Sequence, residues 1–369
     1  MTARRVALHL VLLLTVLGGI ATMAPKPPFL TDEPVYEATA RDGVVLECSD
    51  LQCFRVLVPW ILGRFPGDPI VRWKAFAVVS TAGAALALGW LCAVWGMTAR
   101  AAQFAIWLVA LGFGPLLTLF NPYTADPLMY FLGPLMTAEL FRGRRGRAML
   151  VGTIGVLAKE VAAAPLWIFW LWATARRQWD LSRRVFAMAL GATLVWVWLQ
   201  LFLLIVFNYS YAGSKSTDLL GGGDFGEWIR EMGPRGAAMA VLGAFGAVYL
   251  LLPFGFARAS REHRLFAVAS VPAALVLCYL QQPERALWNF HYAIIPFAVL
   301  VLQLLPDALC WLFIASYGLA NLRVGAQLEF LPSARYGLAL SFIIGIAAVV
   351  AALRRADPQL TFAPRESPV

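Results

Sequence analysis

Apolar windows of about 16 to 23 residues recur from end to end of the chain, the length a helix needs to cross a ~30 Å hydrocarbon core. Read in order, they cover Val6–Met23, Ala75–Met97, Ala101–Phe120 and Pro127–Phe141, then a long run from Ala148 to Ala175. Val185–Phe207, Gly236–Phe256, Leu265–Leu280, Tyr292–Leu319 and Tyr336–Leu353 follow. Two runs need dividing. Pro306-Asp307 splits Tyr292–Leu319, and Lys159-Glu160 interrupts Ala148–Ala175 with charge. The fold class expected is an all-α polytopic membrane protein, one transmembrane domain over residues 1–369, with about twelve crossings that include two short half-spans meeting near Lys159.

Polar breaks set the orientation. Arg4-Arg5, Arg142–Arg147, Arg176-Arg177 with Arg183-Arg184, Arg258–Arg264 and Arg354-Arg355 alternate with acid-bearing breaks. Under the positive-inside rule these arginine clusters mark cytoplasmic loops, which puts both termini inside. A single crossing by Ala148–Ala175 would export the Arg176–Arg184 group, whereas a pair of half-spans returns it. The large loops, about residues 25–73 and 208–235, then share the outer face. The first span has the outline of a signal peptide ending at Thr22-Met23-Ala24, but Pro25 disfavours cleavage and a retained anchor is expected.

Composition agrees: 60% of the 369 residues are hydrophobic and only 14% charged, too few for a soluble surface. The net charge of +9 resides in the loop arginines, so it is topological and does not point to nucleic acid. Cys48 and Cys53 fall in the first outer loop, where a disulfide is one possibility; two Cys without nearby His supply only half a zinc shell.

Candidate chemistry gathers in four outer breaks. Asp32-Glu33, with Tyr36 one helical turn on, follows the first span. A carboxylate there can serve as a base at the membrane surface, or be a solvated acid and nothing more. Phe54, Leu57, Val58, Ile61, Leu62 and Phe65 recur at helical spacing, as an interfacial helix or a stripe packed on neighbouring spans, with Pro59 breaking it into short turns. Lys159-Glu160 is costly in an apolar run unless it serves a purpose; Lys159 can hold a phosphate, or the two can form a structural pair. Asn121, Tyr123 and Asp126 form a third polar turn. Gln281–His291 forms the fourth, in which Arg285 suits bidentate phosphate binding and Trp288 a sugar-stacking face, against the plainer readings of a Glu284–Arg285 pair and an interface anchor.

Thr31-Asp32-Glu33-Pro34-Val35-Tyr36 resembles the first outer loop of the GT-C glycosyltransferases, especially the aminoarabinose transferase and protein O-mannosyltransferase branch. Gly155–Glu160 followed by Ala164-Pro165-Leu166 is similar to their leucine–x–x–lysine turn between two short membrane helices. The likeness covers the first half of the chain. Glu160 stands where a glycine is usual, Pro34 breaks the stretch after the acidic pair, and the soluble outer domain of some members is lacking. The resemblance implies transfer of a sugar from a polyprenyl-phosphate donor to a hydroxyl acceptor of glycan, lipid or protein, at the outer face of a bacterial inner (plasma) membrane. Asp32 or Glu33 would be catalytic, Lys159 and Arg285 would hold the donor phosphate, and Tyr36, Asp126, Glu160, Trp288 and His291 would line the substrate site. No cofactor is expected, a divalent metal being left open. A transporter or flippase of a lipid-linked or anionic substrate is the main alternative, and a membrane scaffold the third. Gly221-Gly222-Gly223 suggests a hinge for a lid, or an idle flexible loop.

Overall fold

The computed structural model describes residues 3–27, 32–44, 47–49, 51–210 and 225–355. Every regular element among them is helical. In chain order these are α1 (Ala3–Met23), α2 (Glu33–Asp42), α3 (Leu57–Leu62), α4 (Pro69–Val94), α5 (Ala99–Ala110), α6 (Phe113–Phe120), α7 (Asp126–Phe141) and α8 (Arg145–Gly155). Then come α9 (Ala164–Ala175), α10 (Trp179–Val206), α11 (Phe225–Phe245), α12 (Leu252–Arg258), α13 (Arg261–Leu280), α14 (Pro283–Trp288), α15 (His291–Leu302), α16 (Asp307–Val324) and α17 (Ala334–Arg355). Single turns of 3-10 helix at Leu51–Phe54 and Glu160–Ala163, and a longer one at Gly246–Leu251, join them.

Among the described residues, seven helical runs are long and apolar enough to cross a membrane. They display large apolar side chains outward: Trp198 and Ile343 are both 64% exposed and Ile205 79%. Water would penalise such a surface, whereas lipid accepts it. The protein is an integral membrane protein.

Local chemistry explains most boundaries. Asp68 caps α4 by accepting from the Ile70 amide at 3.0 Å, with Pro69 at the first helical position. The first polar segment is therefore shorter than its sequence suggests: Trp73, expected at its end, lies inside α4. At the other end of α1, Lys74 Nζ donates to the carbonyls of Ala21 and Ala24, both at 2.7 Å, and satisfies the orphan acceptors of that helix. The apolar stripe from Phe54 to Phe65 resolves into two short turns. Phe54, Val58 and Leu62 pack inward, while Trp60, Ile61 and Phe65 remain exposed. The Ala101–Phe120 run is broken at Leu111-Gly112, and α11 carries a kink at Gly233 (φ +51°) before Pro234. Arg100 ties the start of α5 to the turn between α15 and α16, donating to the Gln303 carbonyl at 3.1 Å and to that of Leu305, and pairing with Asp307. The proposed hinge at Gly221–Gly223 lies outside the described residues.

Helices α8 and α9 form a tight antiparallel hairpin. A Cβ on Gly155 would sit 2.8 Å from both Ala162 and Leu132, and one on Gly152 2.8 Å from Met136 and 3.2 Å from Leu166. Glycine at these positions lets α8 come close both to α7, which carries Leu132 and Met136, and to the returning leg of the hairpin. The hairpin gives the bundle two distinct ends. Arg144 pairs with Glu139, Phe141 packs edge-on to Trp172 at 5.1 Å, and the Trp172 indole donates to the Glu262 carbonyl at 3.2 Å. That is the arginine end. Asp126, Lys159, Gln281 and Arg285 meet at the opposite one.

Cys48 and Cys53 are joined by a disulfide with Cα atoms 6.4 Å apart. Both should resist thiol reagents in unreduced, denatured protein and react after reduction; reactivity before reduction would remove the bond. In a cysteine-free background, single cysteines at Gln178, Arg144 and Arg261 should be labelled by an impermeant reagent from one and the same side of the membrane. Labelling of Gln178→Cys from the side opposite to the others would undo the hairpin.

Candidate active site

The first polar segment is fastened down by aromatic packing and charge. α2 starts at Glu33 with Pro34 in its first turn, and Tyr36 projects from it against Trp73 of α4, ring centroids 5.2 Å apart. Trp73 in turn packs on Tyr123 at 5.3 Å, and its indole donates to Glu37 Oε1 at 3.1 Å. The base of α2 is thereby fixed over the turn that precedes α7. Asp32, beside the start of α2, accepts from Gln52 Nε2 at 2.9 Å. Glu33 takes Lys26 at 3.1 Å on the exposed side.

Asp126 is the centre. It is fully buried, opens α7 just before Pro127, and receives Lys159 Nζ on one carboxylate oxygen and Arg285 Nη2 on the other, the latter at 2.9 Å. Thr124 helps orient it: its hydroxyl accepts from the Asp126 amide at 3.2 Å and lies 3.4 Å from Arg285 Nη2. Lys159 also donates to Gln281 Oε1 at 3.1 Å. Three separate breaks, residues 121–126, 156–160 and 281–285, thus converge on one carboxylate. Lys159 is 1% exposed and Arg285 26%, so Arg285 is the cation that an incoming ligand can reach.

A second ion pair closes the rim. Arg55 grips Glu160 with two bonds, 2.8 Å from Nη2 and 3.3 Å from Nε, and the Leu57 amide donates to the Leu157 carbonyl at 3.2 Å. Burial works against the Arg55 charge, but Glu160 more than offsets it and keeps the guanidinium protonated. Burial also pushes the Tyr36 phenol up to about 12, so it remains a neutral hydroxyl beside Arg55 and Asp32.

Several expectations change. Lys159 and Glu160 do not form an ion pair with each other: the Lys159 backbone is extended (φ −166°, ψ 141°) and Glu160 begins a 3-10 turn, so each charge finds its own distant partner. Arg285 pairs with Asp126 and not with its neighbour Glu284. Trp288 offers no face to a sugar. It is wholly buried between Gly112 and Gly114, where a Cβ would fall 2.0 and 2.4 Å from its ring, and its indole donates to the Ala244 carbonyl at 2.6 Å. His291 is equally buried, with Nδ1 2.8 Å from the Trp288 carbonyl. Trp288 anchors the end of α14, the helix that carries Arg285, and His291 packs beside it. Asp32, Tyr36, Asp126, Lys159, Glu160 and Arg285 do share one end of the bundle.

Sequence reading missed Arg55, Gln52, Thr124 and Gln281 as partners. One signal was legible: a lysine in an apolar environment needs a carboxylate, and Asp126-Pro127 at a helix start is the acid in the comparable setting.

Removing one partner of a buried pair strands the other charge. Lys159→Met should therefore lower stability by ~3–5 kcal/mol, read by detergent-induced unfolding. Asp126→Asn combined with Lys159→Met should cost less than the two single changes added together; strict additivity would show that the pair is uncoupled.

The chain matches no family model, no curated protein and no solved structure.

Proposed function

We propose that this protein is a membrane glycosyltransferase of the GT-C kind, moving a sugar from a polyprenyl-phosphate donor to a hydroxyl acceptor. In this reading the chain crosses a bacterial inner membrane about twelve times, with both termini and the arginine end cytoplasmic and the Lys159 end at the outer face. The observation that carries it is Arg285, held by a fully buried Asp126–Lys159 pair at the bundle end where Asp32 and Tyr36 also sit. Fixed cations beside a carboxylate suit a reaction in which a phosphate leaves while a hydroxyl loses its proton.

The roles follow from access. Asp32 takes the proton of the acceptor hydroxyl as its oxygen attacks the anomeric carbon. The bond from that carbon to the donor phosphate breaks, and Arg285 meets the charge left on the polyprenyl phosphate. Lys159 is enclosed, so it acts through Asp126, keeping Arg285 aimed. Glu33 is second choice as base because Lys26 already engages it on the exposed side. An apolar groove of about 350 Å³ supports a lipid-borne donor. It lies between α11–α12 and α13–α15, and Cys278, Leu287 and Phe290, close in sequence to Arg285, form part of its wall.

The test is incubation of purified protein with radiolabelled polyprenyl-phosphate sugars and lipid or glycan acceptors. Asp32→Asn should fold normally and lower turnover on the order of a hundredfold or more, the usual worth of a placed base. Full activity in Asp32→Asn with loss in Glu33→Gln moves the role by one residue. Full activity in both sinks the carboxylate mechanism, and no transfer from any donor sinks the reading itself.

A further inference from the structure

At the opposite end of the bundle lies a polar cavity of about 830 Å³, far from the Asp126 cluster and unused by the transfer chemistry. Two loops form it: the α9–α10 turn and the α12–α13 turn. Arg176, Arg177, Arg258, Arg261 and Arg264 line it against one acid, Glu262. That acid is already engaged, pairing with Arg176 at 2.7 Å while the Arg176 guanidinium rests over the Trp172 ring at 5.0 Å. Among the described residues the other four arginines form no ion pair. The cavity size falls within the ~300–1,000 Å³ range of small-ligand sites.

Topology alone asks only that arginines lie in loops on one side, spread as mutual repulsion prefers. Here two loops distant in sequence bring theirs to one concavity. The local geometry adds to the field. Ser260 caps α13, its hydroxyl accepting from the His263 amide at 3.3 Å, so the positive end of that long helix opens into the same space. A converging set of guanidiniums is electrostatically unfavourable when empty and favourable around an anion.

Depth identifies the anion. The cavity lies where apolar helices α9, α10, α12 and α13 begin or end, which is headgroup level for a chain that spans the bilayer. Ala175, Ala257 and Leu265 supply apolar patches of its wall. A phosphate ester in the cavity would have its acyl chains beside that apolar flank.

We infer that this cavity is a binding site for the headgroup of an anionic phospholipid, drawn from the leaflet at the arginine end. The site does not depend on the transfer reaction at the other end. Basic pockets between membrane helices recognise such headgroups in this way.

The experiment titrates detergent-purified full-length protein with phosphatidylglycerol and with phosphatidylcholine, counting retained lipid by native mass spectrometry. Phosphatidylglycerol should be retained preferentially. Arg261→Gln should weaken its retention roughly fivefold, and Arg258→Gln with Arg261→Gln and Arg264→Gln about a hundredfold, at unchanged phosphatidylcholine retention. Arg354→Gln with Arg355→Gln, at the end of α17, removes two arginines outside the cavity, serves as the control for general basic character, and should change little. If the triple variant fails to fold, the exposed Arg261→Gln and Arg177→Gln changes decide alone. Equal retention of both lipids overturns the inference, as does an equal loss from the Arg354/Arg355 variant, which would mean diffuse attraction. Displacement of phosphatidylglycerol by millimolar inorganic phosphate would assign the cavity to a soluble anion and overturn it as well.

Discussion

The Asp126 carboxylate, shared between Lys159 and Arg285 in a fully buried setting, is the constraint on which the rest of this structure depends. A lone charge in that position would cost several kcal/mol, and the cost is met only when its partners arrive together. Those partners come from breaks more than thirty residues apart in sequence. The α8–α9 hairpin must double back with Lys159 at its tip, and α14 must turn with Arg285 facing inward. The glycines at 152 and 155 permit the first, and the Trp288 cradle at Gly112 and Gly114 secures the second. Neutral packing gives the bundle its bulk, but this ionic junction fixes the relative register of three loops.

The first polar segment is built as an attachment to that junction. Its regular pieces among the described residues are α2, a 3-10 turn and α3, none of which would persist alone in water at such lengths. Stability comes from the tilted Tyr36–Trp73–Tyr123 ring contacts, the Arg55–Glu160 pair and the Cys48–Cys53 bond. The aromatic contacts tie the segment to α4 and the turn before α7, the ion pair ties it to the Lys159 turn, and the disulfide closes it on itself; together they hold Asp32 within electrostatic reach of Arg285. A carboxylate at the start of a short helix so anchored is better placed for chemistry than one on an unsupported loop.

The two ends of the bundle use charge in opposite ways. At the Lys159 end acids and bases are matched, buried and directional. At the arginine end cations outnumber the acid they face and remain accessible around an open cavity. Matched charge makes a rigid site; unmatched charge makes one that awaits a counter-ion.

Sequence alone determined the membrane-embedded helical class, because hydrocarbon tolerates only apolar, internally hydrogen-bonded segments, and such segments show in a linear string. It also placed the breaks: Pro306-Asp307 and Lys159-Glu160 each open a new element after the apolar run is interrupted by a charge or a proline. Lys159 stood out for the same reason, being charged inside an apolar run. What the string could not assign was partnership. Lys159 is adjacent to Glu160 in sequence, yet an extended residue followed by a 3-10 turn sends the two side chains to different neighbours. Trp288 reads as an interface aromatic or a stacking face until Gly112 and Gly114 enclose it. Ion pairs, burial and the meeting of the arginine loops depend on which helices lie side by side, and only tertiary packing decided that.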